Sequence, residues 1–199
     1  IFFKILKTKK VISPLILISS EKLLKLHMRK LKFRKKIKFL KDTNLENNNL
    51  DNKSINLIDI DYKHYKNIEK ISNKSNLFIR KSFQLAFKIL KKNKVKRFIN
   101  GPISKKYFLS NKFLGITEYI SKSFSKKKTC MLIYNKKLSV CPVTTHLPIK
   151  LVSKKINKKN ITDKIILIDN FYIKKFGYKP KIAILGLNPH CESIHRYNE

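Results

Sequence analysis

Six short apolar runs, at residues 14–19, 55–60, 97–100, 129–134, 138–143 and 181–186, are separated by longer stretches with helical character. Runs this brief fit strands better than helices, and an apolar run with little alternation fits a strand covered on both faces. Strands alternating with helices predict an α/β domain with a largely parallel sheet.

The intervening segments supply the helices. Residues 20–31 bring Leu23, Leu24, Leu26 and Met28 to apolar positions behind Ser20, a good N-cap. Residues 76–94 carry Leu77, Phe78, Phe83, Ala86, Phe87, Ile89 and Leu90, a broad apolar face. Residues 117–124 begin at Thr117, and residues 162–176 stop at Gly177, which suits a helix terminus. Shorter helices are expected at 104–110 and 147–153, the latter with Pro148 in its first turn. Asn135, Lys136 and Lys137 read as a hairpin turn, and the polar stretch 41–54 reads as a loop.

The start of the chain imitates a secretion signal, with lysines up to Lys10 and an apolar run after them. That run is short, holds Pro14 and has no small-residue cleavage site behind it, so a buried strand leading into a helix is the better reading. No stretch reaches the roughly eighteen apolar residues of a membrane span. Cys130, Cys141 and Cys191 are too few and too irregular for a disulfide framework or a zinc ribbon. A soluble, cytoplasmic protein is the expectation.

Charge is the largest anomaly of composition: 47 Lys plus Arg against 12 Asp plus Glu give a formal net charge of +35. Such an excess suggests a nucleic-acid-binding module. Its make-up argues otherwise. Only Arg29, Arg34, Arg80, Arg97 and Arg196 are arginines, and the lysines are spread along the whole chain. Arg is the side chain that forks onto phosphates and bases. Abundant Lys, Asn and Ile, with Gly only 4, reflects coding bias laid over an ordinary fold.

In parallel sheets, chemistry gathers in loops beyond the carboxyl ends of the strands. Three such segments stand out. One runs from Asn100, Gly101 and Pro102 through Ser104 and Lys105 to Gly115, Thr117 and Glu118. The second is Val143, Thr144, Thr145, His146, Leu147, Pro148, and the third is Gly186, Leu187, Asn188, Pro189, His190. Each of the last two puts a histidine beyond an apolar run and beside a stiffening proline. Neutral imidazoles so placed are good ligands for a divalent metal. A third ligand completes an ordinary catalytic site. His195 is near in sequence, but that alone makes no case for it. His27 and His64 read as surface or structural, Cys141 as a buried free thiol, and Cys191 and Glu192 as bystanders of His190.

Together the three segments are identified as a resemblance to the 4-hydroxythreonine-4-phosphate dehydrogenase family of pyridoxal phosphate biosynthesis. Val143 to Pro148 match its Val-Thr-Thr-His-x-Pro motif, and Gly186 to His190 its Gly-Leu-Asn-Pro-His motif. Gly101, Pro102 and Lys105 match Gly-Pro-x-x-Lys, and Gly115, Thr117 and Glu118 match Gly-His-Thr-Glu. The resemblance implies an α/β/α fold like that of the isocitrate and isopropylmalate dehydrogenases, and a homodimer with a shared active site. It implies His146 and His190 as two of three histidine ligands to a divalent metal such as Zn, Mg or Co. Thr117 would contact a phosphorylated small-molecule substrate, and Lys105 would add a cation for its phosphate or carboxylate. NAD or NADP would accept a hydride from the secondary alcohol of 4-phosphohydroxy-L-threonine, and the resulting 3-keto acid would decarboxylate to 3-amino-2-oxopropyl phosphate.

Three departures qualify the resemblance. Ile116 stands where the family has a histidine. The family's glycine-rich N-terminal segment is absent, and so are its C-terminal portion and the third metal histidine. The expectation is a partial dehydrogenase domain over residues 1–199, without turnover of its own. Because Ile116 cannot hydrogen-bond, a sister activity on threonate or erythronate 4-phosphate is the near alternative.

Overall fold

The computed structural model describes residues 2–8, 11–41, 43–63, 72–92, 95, 97–110, 112–124 and 128–186. The chain forms two compact units, Ile1–Phe124 and Ser125–Glu199.

The first unit is built on a three-stranded parallel sheet, β1 (Ile16–Ser19), β2 (Ile37–Phe39) and β3 (Ile55–Asp59), in the order β1-β3-β2. In register, Ile16 lies beside Asn56 and Ile37 beside Ile55. The chain leaves β1 through helix α2 (Glu21–Lys30), reaches β2 at the far edge, and returns to place β3 in the middle. Four consecutive residues of β3, Ile55 to Ile58, are buried, as expected for a central parallel strand covered on both faces.

The alternation of a strand divides this core. Ile55 and Leu57 pack with Leu24 and Phe33, backed by Phe2, Phe3, Leu6 and Met28. Phe2, Phe3 and Leu6 come from helix α1 (Phe2–Thr8). Ile58 packs with Leu40 and Ile89, backed by Ile16, Ile18 and Leu85. Ile89 and Leu85 come from helix α3 (Asn76–Lys92), so the sheet is sandwiched between helical layers. Burying a residue such as Leu57, 0% exposed, stabilises by about 1.5–3 kcal/mol.

Helix α2 starts as the sequence predicts: Ser20 is its N-cap and accepts a hydrogen bond from the Leu23 N–H at 3.5 Å. Glu21 stands in its first turn and Arg29 and Lys30 in its last, each charge complementing the helix dipole. Helix α4 (Ile116–Ser123) closes this unit.

The second unit is organised by helix α5 (Lys158–Phe176). Asn157 caps its start by accepting from the Asn160 N–H at 2.9 Å. Gly177 ends it at φ 79°, in the left-handed region that favours glycine, donating to the Ile173 carbonyl at 3.0 Å. Against α5 lies a short hairpin. The Tyr172 hydroxyl is 3.0 Å from Ser139 Oγ, and the Tyr134 ring stacks on Phe176 at 5.3 Å.

Several expected elements take another form. Residues 97–100 and 181–186 are apolar but are not strands, and the hairpin around Asn135 is reduced to one antiparallel bridge, Ile133 to Val140. The reason is physical. A strand needs a backbone partner and cover for its side chains, whereas Ile99 is 88% exposed and Leu185 87%. The helix expected at 147–153 is two turns of 3-10 helix, Ile149–Leu151 and Ser153–Lys155. Helix α1 and strand β2 were not expected. No helix among the described residues is long and apolar enough to cross a membrane.

Candidate functional site

The expected site residues fall on both units. Lys105 and Thr117 belong to the first and His146 to the second. His190 lies outside the described residues, as do His64, Cys191, Glu192 and His195. His27 lies in the last turn of α2.

Lys105 opens a single π-helical turn, Lys105–Leu109. Ser104 caps this turn, its hydroxyl accepting from the Tyr107 N–H at 3.4 Å, and Ser110 ends it at φ 47°. Lys105 is exposed, its ammonium free to meet an anion, while Leu109 at the other end is buried and anchors the turn. Asn76, the first residue of α3, reaches the same turn and donates to the Tyr107 carbonyl at 2.7 Å.

Thr117 lies in the first turn of α4, where Gly115 is the N-cap. It is half-buried, as are Ile116 before it and Glu118 after it. Ile116 therefore contributes apolar surface at this position and no hydrogen bond.

What holds Lys105 and Thr117 in place is an aromatic cluster. The Phe83 ring of α3 lies 5.8 Å from Phe108, in the Lys105 turn, and 5.3 Å from Tyr119, on α4. Phe108 and Tyr119 meet edge to face at 5.4 Å, and Phe98, in the segment before Gly101, joins at 5.7 Å from Phe83. Edge-to-face aromatic pairs add about 0.5–1.5 kcal/mol beyond the area they bury. Burial pushes the Tyr119 phenol above its ordinary pKa, partly offset by the Arg80 charge. The apolar pattern of residues 76–94 predicts Phe83 on an apolar helix face. That this face carries both the Lys105 and the Thr117 segments is set by contacts distant in sequence, and no local signal announces it.

Two buried acceptor atoms lack a donor among the described residues: Asn76 Oδ1 and Glu118 Oε2. Both are on elements that carry or flank Lys105 and Thr117. Buried acceptors are ordinarily satisfied, so these two stand out beside the Lys105 and Thr117 segments.

His146 sits on a bend and is exposed. Its φ is 55°, one of three positive values at non-glycine residues among those described. An imidazole residue in the left-handed region costs backbone energy of order 1–3 kcal/mol, and such strain collects at binding and catalytic positions. Pro148 follows as the N-cap of the 3-10 turn Ile149–Leu151, fixing the chain on the downstream side. Upstream, the hairpin docked on α5 fixes it through the Ile133–Val140 bridge. The segment before His146 is a strand only at that bridge, so a tethered bend presents the histidine instead of the end of a continuous strand.

As a metal donor His146 fits: its side chain is exposed and its backbone is constrained. Among the described residues no three His, Cys, Asp or Glu side chains gather to hold an ion. A complete donor set therefore needs more than the described chain supplies.

The pattern that defines the pyridoxal phosphate biosynthetic protein PdxA family matches residues 10–195. A 4-hydroxythreonine-4-phosphate dehydrogenase of Sulfurihydrogenibium sp. (strain YO3AOP1) is 37% identical over 140 residues, covering 69% of this chain and 42% of that protein. The enzyme of the same name from Aquifex aeolicus is 40% identical over 77 residues, 39% of this chain and 24% of that one. The matched stretches thus span less than half the length of these relatives. Among solved structures, a 4-hydroxythreonine-4-phosphate dehydrogenase from Klebsiella pneumoniae superposes with a TM-score of 0.77 at 20% identity, covering 94% of this chain and 60% of that one. One from Burkholderia phymatum gives 0.69 at 21% identity, over 88% and 53%. At these identities the structural likeness bears on fold alone. It supports the expected α/β architecture with a parallel sheet.

Proposed function

The chain belongs to the family of the pyridoxal phosphate biosynthetic protein PdxA, and from that premise we propose that it serves the NAD(P)-dependent oxidation of 4-phosphohydroxy-L-threonine. The observation that carries the reading is His146: the histidine of the Val-Thr-Thr-His-x-Pro motif is exposed and held at φ 55°.

In this reading His146 and His190 donate imidazole nitrogens to a divalent ion, with a further ligand from beyond the described residues. The Thr117 hydroxyl orients the substrate, since it both donates and accepts at the mouth of α4. Lys105 offers a flexible point charge to the substrate's phosphate or carboxylate. When bound, the divalent ion supplies Lewis-acid polarisation of the substrate's secondary alcohol oxygen, and the nicotinamide coenzyme supplies the hydride acceptor. The product is a 3-keto acid, whose carbonyl takes up the electron pair released as carbon dioxide leaves. A homodimer with a shared active site, in the cytoplasm, completes the proposal. Residues 1–199 are read as part of one α/β dehydrogenase domain.

Ile116 favours a second reading within the same chemistry. An apolar side chain where the family carries histidine alters substrate recognition, and threonate or erythronate 4-phosphate is then the substrate.

Metal titration followed by calorimetry tests the ligand assignment. Replacing His146 by Ala is expected to lower zinc affinity by about 100-fold or more, since even partners outside the ligand set are worth 10–100-fold. Unchanged affinity and stoichiometry in a folded His146→Ala protein would remove His146 from the site.

A further inference from the structure

The hairpin that leads into the His146 bend carries two thiols, and nothing in the dehydrogenase reading uses them. Its backbone is joined by reciprocal hydrogen bonds between Ile133 and Val140, of 2.8 and 3.0 Å. Continued one step, this antiparallel register sets Cys141 opposite Leu132, with Cys130 as the diagonal neighbour of Cys141 on the same face. Across the hairpin the Cys130 thiol is near enough to help raise the pKa of Cys141, whose own hydrogen bond is to the Pro142 carbonyl at 3.9 Å. Both cysteines are free and half-buried.

We propose that Cys130 and Cys141 form a reversible disulfide by exchange with a low-molecular-weight disulfide, a redox-sensitive clamp on the hairpin that presents His146. The exchange has two steps. The Cys130 thiolate attacks the reagent, forming a mixed disulfide and releasing one small thiol. Cys141 then attacks the Cys130 sulfur, the mixed bond breaks and the second small thiol leaves. The protein gives up two protons and two electrons, and the reagent is reduced to two thiols. Burial holds the Cys141 thiol above its ordinary pKa, which disfavours Cys141 as the first attacker and suits it to the resolving step.

Closing this bond has a structural consequence. Diagonal cross-strand neighbours have Cα atoms about 7–8 Å apart, whereas a relaxed disulfide holds them about 5.5–6 Å apart. The two arms must draw together, and Cys141 is five residues upstream of His146. A bond formed under such strain is readily reduced again, as regulatory disulfides are. The effect on metal binding rests on the proposed role of His146, but the disulfide itself does not.

The test uses the full chain exposed to oxidised glutathione. Free thiols are then capped with N-ethylmaleimide, the unreduced protein is digested with trypsin, and the peptides are weighed. The expected product joins residues 129–136 to residues 138–150, two hydrogens lighter than the separate peptides, and it disappears on reduction with dithiothreitol. It persists in Cys191→Ser. Cys130→Ser and Cys141→Ser each lose it and carry glutathione on the remaining thiol. Maleimide on both Cys130 and Cys141 after oxidation, or a dominant link from either one to Cys191, would overturn the proposal.

Discussion

The carboxylate of Asp59, at the carboxyl end of the central strand, accepts the backbone N–H of Glu21, in the first turn of α2, at 2.6 Å. With Ser20 it satisfies donors that the start of a helix leaves unpaired, and its negative charge faces the positive end of the helix dipole. One side chain thus locks the first crossover helix to the strand that lies beside β1. Asp59→Ala is expected to lower stability by about 1 kcal/mol, read as a lower urea midpoint at unchanged slope.

Asn56 is a buried polar residue in the middle of the sheet, 0% exposed. Its amide donates to the carbonyls of Leu15 at 3.1 Å and Asp51 at 2.8 Å, tying the entry to β1 and the loop before β3 to the central strand. Leucine is close in size and would satisfy neither carbonyl. Asn56→Leu should therefore destabilise by about 2–4 kcal/mol despite the added hydrophobicity. Chemical denaturation that showed the variant equal to the parent would mean that water replaces the amide.

Phe83 gathers Phe98, Phe108 and Tyr119 around one ring. Phe83→Ala should cost about 3–5 kcal/mol. Phe83→Leu should cost less but still loosen the Lys105 turn, and amide hydrogen exchange at Tyr107 and Phe108 should quicken before exchange in β3 does. Equal acceleration everywhere would show that the cluster acts on the whole unit and not on the turn.

The parts of the fold legible in the sequence are those with local causes. Ser20 and Gly177 mark helix ends through chemistry contained in one turn, and the apolar residues of β1 and β3 need no knowledge of their neighbours to read as strands. Helix α1 is hidden because its lysines imitate the start of a secretion signal, while Phe2, Phe3 and Leu6 reveal their purpose only against Phe33 and Leu57. β2 is three residues in a lysine-rich stretch, Ile37, Lys38 and Phe39, too short for a periodic signal. The failed strands show the converse: Ile99 and Leu185 are apolar, but hydrophobicity without a pairing edge makes no strand. The site divides in the same way. His146 was legible as a motif residue, whereas its left-handed backbone and the Phe83 cluster behind Thr117 arise only from packing.

Asp51 gives the acid stability a specific slope. The Ser54 N–H, with help from Lys38, holds its carboxyl below the ordinary value of 3.8. A carboxylate depressed by folding contributes stability that is present above its unfolded pKa and is lost as pH falls through the lower folded one. The loss therefore lies in the acid range below about 4. Asp51→Asn should flatten the fall of melting temperature in that window and leave the neutral-pH profile parallel to the parent. An identical acid profile for parent and variant would show that this loop does not sense protonation.

The most direct measurement is reduction of NAD or NADP by the product of the complete reading frame, of which residues 1–199 are read as part, with 4-phosphohydroxy-L-threonine and a divalent metal, run beside a His146→Ala variant of confirmed fold. Steady formation of the reduced coenzyme in the parent and none in the variant is the predicted result. With threonate or erythronate 4-phosphate the same pair of proteins tests what Ile116 has done to specificity. A folded, metal-loaded parent that reduces neither coenzyme with any of the three substrates, or a variant that matches the parent, would contradict the dehydrogenase reading built on His146.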